Sequence, residues 1–139
     1  MEKEVIKLKL LNIVANGYET GDFDEMIPYL SEDCVWESQW VIEPRVGITK
    51  LKDYYTEKGK LIKESKSFCK CEIFKCTNMP GLGILLEQEV NNEKIQTVIT
   101  IKINDDNLIS RIDISNSEFY YNKEIISDIR NRVIKKKVM

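Results

Sequence analysis

The chain has 139 residues, which is enough for one hydrophobic core but too few for two domains of ordinary size. Its 21 basic and 23 acidic side chains nearly cancel, so no overall field favours nucleic acid or an anionic membrane. Histidine is absent, which removes the commonest general base and the commonest metal ligand. We therefore expect one domain over residues 1–139 with one site, no cofactor or metal, and neither nucleic acid nor a membrane as partner.

The N-terminal segment MEKEVIKLKL alternates charged with apolar residues, unlike a signal peptide. No stretch approaches the roughly 20 apolar residues that a membrane span needs. These features predict a cytoplasmic protein whose four cysteines stay reduced. Cys69, Cys71 and Cys76 form a C-x-C-x4-C run remote from Cys34, which is not a zinc pattern, so we expect buried, unreactive thiols.

The first part of the chain predicts two helices. Apolar residues recur at spacings of three and four over residues 3–18, which indicates an amphipathic helix that ends near Gly17. Asp22 then begins a second helix, and Glu25 three residues later completes a pair resembling a capping box. Pro28 should shorten or kink this helix because it removes a backbone hydrogen bond.

The rest of the chain predicts five strands and two further helices. Residues 34–40 alternate as a strand, and a third helix follows over residues 47–62. The period then changes to two, and short polar turns join the four strands 67–77, 82–90, 94–103 and 108–115 into an antiparallel meander. A long helix over residues 118–138 ends the chain. This order predicts an α+β fold, with helices packed on one antiparallel sheet.

Three short motifs in this order resemble those of a known superfamily. They are GDFDE at 21–25, EDCVWE at 32–37 and GITKL at 47–51. With the hairpins that follow, residues 5–115 resemble the nuclear transport factor 2-like (NTF2-like) superfamily, which includes SnoaL-like cyclases and ketosteroid isomerases. The resemblance implies a single SnoaL-like domain of cystatin-like α+β type. In it a curved antiparallel sheet forms a cone around the N-terminal helices and encloses a ligand-sized pocket, and residues 117–138 are an added C-terminal helix.

The resemblance does not carry the family's catalytic residues. Aligned without gaps, Val14, Ser38 and Ile99 stand where steroid isomerases have a tyrosine, a general-base aspartate and a protonated acid. None of these side chains can perform those roles near neutral pH, so we do not expect steroid isomerisation. The epoxide hydrolase and dehydratase branches use Asp-Arg-Asp or histidine-centred sites. In this sequence only Arg111-x-Asp113 weakly resembles part of such a site. The sequence therefore favours a protein without a recognisable catalytic set.

The period-two pattern assigns strand residues to one face or the other of the sheet. It predicts that every strand carboxylate lies on the outer face, together with Arg111. The residues predicted to face inward are Trp36, Ser38, Trp40, Ile84, Leu86, Gln88, Val90, Thr97, Ile99, Ile101, Ile103, Ser110, Ile112 and Ile114. The interior is thus expected to be apolar and aromatic, with a few neutral polar groups.

Such an interior favours the binding of a small apolar or aromatic molecule. Tryptophan and tyrosine rings would form the walls, and hydroxyl and amide groups would form directional hydrogen bonds with the ligand. The alternative is that the same side chains fill the core. The expected pocket residues are Tyr18, Trp36, Ser38, Trp40, Tyr54, Tyr55, Leu86, Gln88, Ile99, Ile101 and Ile112.

Two other functions stay open at this point. An acid–base enzyme could use Tyr18 with Glu43 or Glu118 reaching in from the rim. An interaction module could instead use the outer sheet face, through which we expect a homodimer whether or not a ligand binds, as is common in the superfamily. Arg111 and Asp113 could pair across that interface, but solvated surface charges are the favoured alternative. In such a module the C-terminal helix would contact a partner or cover the mouth of the cone.

Overall fold

The computed structural model describes residues 3–65 and 69–126. In these ranges the chain forms two α-helices and seven strands. In chain order they are α1 (Lys3–Thr20), β1 (Leu30–Ser38), β2 (Arg45–Val46), α2 (Ile48–Glu64), β3 (Cys69–Cys76), β4 (Met79–Val90), β5 (Glu93–Ile103), β6 (Ile109–Asn116) and β7 (Glu124–Ile125). The strands form one sheet in the order β2-β1-β6-β5-β4-β3-β7, so the α+β fold is confirmed.

The predicted meander is present as β3, β4, β5 and β6, which pair antiparallel with their chain neighbours. Asn91 and Asn92, at φ 52° and 66°, form the two-residue turn between β4 and β5, the left-handed conformation that favours asparagine in tight hairpins. Ile84 pairs with Ile99, and Ile99 with Ile114, so the predicted inner face continues across three strands.

The sheet is mixed rather than wholly antiparallel. β1 runs parallel to β6, and Trp36 lies opposite Ile112. The alternation of side chains is the same for parallel and antiparallel neighbours, so the sequence could not distinguish them. β1 also begins at Leu30 and ends at Ser38, so the prediction that the strand extends to Trp40 was wrong.

The second half of α1 is enclosed by the curved sheet. Every residue from Leu10 to Ala15 is buried, and α1 packs on β3, β4 and α2. A helix that is buried on all sides needs apolar residues around most of its circumference, which the run Leu10-Leu11-Asn12-Ile13-Val14-Ala15 supplies except at Asn12. Asn12 donates a side-chain hydrogen bond to the Leu8 carbonyl at 2.9 Å.

The predicted second helix is a short 3₁₀ turn, Ile27–Tyr29. Asp22 does not begin a helix, because its carboxylate accepts the backbone N–H of Asp24 at 3.0 Å in a local turn. Pro28 lies within the 3₁₀ turn, and the chain enters β1 directly after it. Because Pro28 is at the start of this turn, where its missing N–H breaks no helical hydrogen bond, the expected shortening of a helix by Pro28 is not tested.

The predicted C-terminal helix is absent from its described part, residues 118–126. A 3₁₀ turn, Ser117–Phe119, is followed by β7, which pairs with β3. Tyr120 packs edge-on against Phe74 at 6.1 Å between ring centroids, on the sheet face opposite the Ile73 side chain in the core. The segment therefore lies against the outer face of the sheet, while residues 127–138 of the prediction are outside the described residues.

The two helix ends meet at a pair of glycines. Gly21 follows α1 with φ +80°, and Gly59 lies in the buried face of α2. A Cβ atom on Gly59 would overlap the carbonyl oxygen of Gly21, so a side chain there would push α2 away from the end of α1.

Replacing Gly59 by alanine should therefore destabilise the fold, although alanine is the better helix former. We expect a loss of about 1–3 kcal/mol in the free energy of unfolding, the usual cost of overpacking. Urea denaturation followed by circular dichroism measures this change. Lys60→Ala, at an exposed position one residue on, is the matched control and should change stability little. A Gly59→Ala variant as stable as the parent would contradict the close approach.

Candidate small-molecule pocket between the helices and the sheet

A half-open cavity of about 220 Å³ lies between α1, α2, β1 and the inner faces of β4, β5 and β6. Its walls combine aromatic rings and aliphatic side chains with hydroxyl and amide groups. The lining residues are Tyr18, Trp36, Ser38, Trp40, Val41, Tyr54, Lys58, Leu86, Gln88, Thr97, Ile99 and Ile114.

Eight of the eleven residues expected in a pocket line this cavity: Tyr18, Trp36, Ser38, Trp40, Tyr54, Leu86, Gln88 and Ile99. The other three do not line it. Tyr55, Ile101 and Ile112 are at most 2% exposed and pack in the core beneath the cavity wall. For these three, the alternative reading as core residues was the right one.

Two buried tyrosines join the helices beside the cavity. The hydroxyl of Tyr18 on α1 lies 3.0 Å from that of Tyr55 on α2, and either group can be the donor. Burial is the main cause that raises the pKa of both phenols; the interaction with Tyr55 further raises the pKa of Tyr18, whereas the hydrogen bond with Tyr18 partly offsets the rise for Tyr55. Both groups therefore stay protonated at neutral pH, so they can donate a hydrogen bond but cannot act as a base.

One wall of the cavity is an aromatic pair that holds an arginine. The rings of Trp36 and Tyr54 lie 4.8 Å apart between centroids, and the Arg45 guanidinium carbon is 4.5 Å from the first and 4.3 Å from the second. Arg45 is on β2, directly opposite Trp36 on β1. Such contacts contribute about 0.5–2 kcal/mol each, more where water is excluded.

Two donors in this wall have no acceptor among the described residues. They are the buried Nη1 of Arg45 and the indole Nε1 of Trp36. The Trp36 N–H has a small lowering effect on the pKa of Tyr55, but their geometry falls short of a hydrogen bond. Since buried donors are nearly always paired, unpaired ones beside a cavity point to an acceptor supplied by a bound molecule or by water.

The two tryptophans occupy different environments. Trp36 is 3% exposed, whereas Trp40 is 56% exposed in the turn after β1. The Ser38 hydroxyl accepts the backbone N–H of Trp40 at 3.2 Å, which fixes this turn. Ser38 is therefore already used locally, and Gln88 is a half-buried amide that lines the cavity.

The expectation of buried, unreactive thiols holds for part of the cysteine set. Cys34 and Cys71 are buried, and burial raises the pKa of Cys34 to about 12. Cys69 and Cys76 are partly exposed, so the expectation was wrong for them. A hydrogen bond with the Cys71 thiol is the largest influence that lowers the pKa of Cys69, and the charge of Lys58 adds to it.

The glutamates proposed as a catalytic base are not in the cavity. Glu43 is exposed in the loop before β2, and Glu118 lines a separate groove with Lys94 and Lys123. No carboxylate is among the cavity-lining residues in the described part of the chain. The acid–base hypothesis in the form that uses these glutamates is therefore wrong.

Arg111 and Asp113, for which solvated surface charges were favoured over a pairing across a subunit interface, have partners within the chain. The Arg111 Nη2 atom lies 2.6 Å from the Glu37 carboxylate, and its Nε atom lies 3.0 Å from Asp113. β1 and β6 bring the three side chains together on the outer face. The Arg111-x-Asp113 motif, which weakly resembled an Asp-Arg-Asp site, thus belongs to a partly exposed network of ion pairs on the surface.

Sequence reasoning missed Lys58, Arg45 and Val41 as residues of the site. Lys58 follows Tyr54 by one helical turn, and this spacing was a usable signal. Arg45 and Val41 lie in an irregular connection, where no periodicity indicates direction. Thr97 and Ile114 were assigned to the inner face but were not included in the pocket.

Two features are absent from residues 3–65 and 69–126. In that part of the chain no helix is long and apolar enough to cross a membrane. The same residues contain no group of three or more histidine, cysteine, aspartate or glutamate side chains that could hold a metal ion.

Comparisons by sequence identify no relative: no family model matches the chain, and no curated protein does. Comparison of structures gives many matches. An NTF2-like protein of unknown function from Mesorhizobium loti matches with a TM-score of 0.66 at 11% identity, covering 84% of this chain and 94% of the other.

Two further matches show how varied the proteins with this architecture are. A de novo designed protein with a curved β-sheet matches with a TM-score of 0.59 at 16% identity, covering 98% of this chain and 99% of that one. The epoxide hydrolase/cyclase-like enzyme SalBIII, described for pyran ring formation in polyether salinomycin, matches at 0.53 and 15% identity, covering 78% of this chain and 90% of the enzyme.

The chain therefore has the NTF2-like fold, as its motifs predicted. Identities of 11–16% establish a shared architecture and not a shared activity, since the same fold carries enzymes, uncharacterised proteins and a designed sequence.

The buried tyrosine pair predicts a dependence of stability on pH. Because the folded-state pKa of Tyr18 and Tyr55 exceeds the ordinary value of 10, their contribution is fully present below pH 10 and is lost as the pH rises above it. The free energy of unfolding should therefore fall above pH 10, and it should fall less steeply in Tyr18→Phe.

Chemical denaturation at several pH values measures this slope for the parent and the variant. Tyr121→Phe, at an exposed position, is the matched control and should keep the slope of the parent. Equal slopes in the parent and Tyr18→Phe would show that the pair does not stay protonated in the folded protein.

Proposed function

We propose that this chain is a small-molecule-binding protein whose cavity takes a compact apolar or aromatic molecule. The observation that carries the proposal is the lining of the cavity, which combines aromatic and aliphatic walls with a few polar groups. This is the usual composition of a ligand site. The unpaired N–H of Trp36 in the same wall adds a reason for an acceptor to be bound there.

The volume of the cavity limits the size of the ligand. About 220 Å³ is more than the roughly 150 Å³ cavity that holds a benzene molecule, and less than the roughly 300–1,000 Å³ of drug-sized sites. A molecule of one or two rings fits this space. A steroid would need the turn that carries Trp40 and Val41 to move outward.

Binding is favoured over catalysis because the cavity lining holds no carboxylate or histidine, and its charged residue is Lys58. Val14 and Ile99, at two of the family's catalytic positions, are fully buried apolar residues. Ser38, at the third, is half-buried and bonded to its own turn. Proton transfer requires a positioned group with a suitable pKa, and the buried phenols have pKa values raised away from neutrality.

The test is calorimetric titration with a panel of one-ring and two-ring aromatic compounds. We expect saturable binding by at least one of them, and a melting temperature that rises with ligand concentration. Stabilisation should reach about 2.7 kcal/mol at a hundred times the Kd. Gln88→Trp should fill the cavity and weaken binding at least about tenfold, because two rings cannot share the space.

Gln96→Trp is the matched control for this experiment. It places the same ring on the neighbouring strand, at an exposed position that does not line the cavity. It should leave binding unchanged. An absence of saturable binding across the panel would overturn the proposal, and equal affinities of the two variants would locate the ligand elsewhere.

We also propose a homodimer formed through the outer sheet face. The segment that covers this face exposes three large apolar side chains, since Phe119 is 61%, Tyr121 62% and Ile125 38% exposed. Such a cluster of exposed aromatic and aliphatic groups is typical of a contact surface.

Phe119→Asp should therefore convert a dimer into a monomer, because it places a charge in the apolar centre of the contact. Size-exclusion chromatography with light scattering measures the mass. Ile42→Asp, at a fully exposed position in the loop before β2, is the matched control and should keep the dimer mass. A monomeric parent at about 100 μM would contradict the proposal.

A further inference from the structure

We propose that the ligand of this cavity is an anion, a one-ring or two-ring aromatic carboxylate whose charged group binds at Lys58. This inference deepens the proposed function and rests on it. It names a chemical class that follows from the charges around the cavity.

The charge of the lining is one-sided. Among the twelve residues that line the cavity, Lys58 is charged, and none is acidic. A second cation, Arg45, lies against the Trp36 and Tyr54 rings that form one wall. Positive charge in a pocket with apolar walls favours a negative ligand, because such walls screen the field less than water does.

Lys58 is placed to reach a ligand. It follows Tyr54 by one turn on α2, so both side chains lie on the helix face that closes the cavity. It is partly buried, and among residues 3–65 and 69–126 it forms no ion pair.

The charge of Lys58 also acts on a residue of the neighbouring strand β3. Cys69 lies opposite Gln88 in the β3–β4 pair, and Gln88 lines the cavity. Cys71, by its hydrogen bond, is the main influence lowering the pKa of Cys69, and the charge of Lys58 acts in the same direction. Glu19 raises the pKa of Cys69, a larger effect than that of Lys58, but its carboxylate accepts the Cys71 backbone N–H at 3.0 Å and does not line the cavity.

The other polar groups in the wall can donate hydrogen bonds to an acceptor on the ligand. Burial raises the pKa of Tyr18 and Tyr54, so their hydroxyls stay protonated, and Tyr18 can donate to a ligand when Tyr55 is the donor in their shared hydrogen bond. The Trp36 N–H can donate as well, since it has no acceptor in the described chain. A carboxylate has two acceptor oxygens, and hydrogen bonds that involve an ionised group are about twice as strong as neutral ones.

A cationic ligand fits less well. The Trp36 and Tyr54 rings would attract one through their faces, but the Arg45 guanidinium already lies over both rings at 4.5 and 4.3 Å. Lys58 would repel a second cation.

The test compares 2-naphthoate with 2-naphthamide, which have the same rings and nearly the same shape and differ in charge. Calorimetry on the full chain should show that naphthoate binds about tenfold more tightly, as one charge-assisted hydrogen bond would give. The difference should shrink as salt is raised from 0.02 M to about 0.5 M, because screening acts on the charged ligand.

Three variants locate the charge. Lys58→Met should weaken naphthoate binding about tenfold and leave naphthamide unchanged. Lys58→Arg should keep the preference, because it keeps the charge. Lys52→Met is the matched control, since Lys52 is exposed on the same helix and does not line the cavity, and it should behave as the parent.

The outcomes separate this inference from the proposed function. If naphthamide or a neutral compound of the panel binds as tightly as naphthoate, the inference of an anionic ligand is wrong. The proposed small-molecule-binding function is then still supported. If the preference persists in Lys58→Met, the anion does not bind at Lys58, and the inference in this form is wrong. If neither naphthalene compound nor any other panel member binds, the proposed function itself fails.

Discussion

The contact between the Tyr18 and Tyr55 hydroxyls determines how the two helices sit inside the sheet. The two buried phenols satisfy each other's hydrogen bonding, as buried polar groups nearly always do. Their rings are also perpendicular, 6.0 Å apart between centroids, and each packs against Phe23. This arrangement fixes α2 against the end of α1. The cavity is the space that remains between this aromatic cluster and the sheet.

The two walls of the cavity differ in how far their side chains are exposed. Its inner wall is rigid, since it consists of fully buried side chains on the central strands, such as Ile99. Its outer wall is the turn after β1, where Trp40 is more than half exposed. A ligand would therefore meet buried side chains of the sheet on one side and the exposed ring of Trp40 on the other.

The elements that could be predicted from the sequence are those with a local signal. Strands β3 to β6 were predicted because alternation and turn residues such as Asn91 and Asn92 are local properties of the chain. The facing of Leu86, Gln88 and Ile99 followed from the same alternation. The parallel pairing of β1 with β6 could not be predicted, because it depends on two segments far apart in sequence.

The prediction of a helix after β6 was wrong for a related reason. Its apolar residues recur at a helical spacing, but Tyr120 packs on Phe74 and β7 adds to the edge of β3. Tertiary contacts thus override a local pattern. In the site, Trp40 lines the cavity from the turn after β1 and not from the strand, and the direction of Arg45 is set by its pairing with Trp36. These positions depend on neighbours that are brought together by folding.

The parallel pairing of β1 with β6 has a consequence for how the protein is made. β1 is among the first strands to leave the ribosome, and β6 is among the last, yet in the sheet they are direct neighbours. The hairpins β3–β4 and β4–β5 can form during synthesis, whereas β1 must wait for its partner. Loop closure over this distance is slow compared with hairpin formation. Until then the β1 edge that pairs with β6 has unpaired backbone N–H and C=O groups, and this is the stage at which a nascent chain would most need protection by a chaperone.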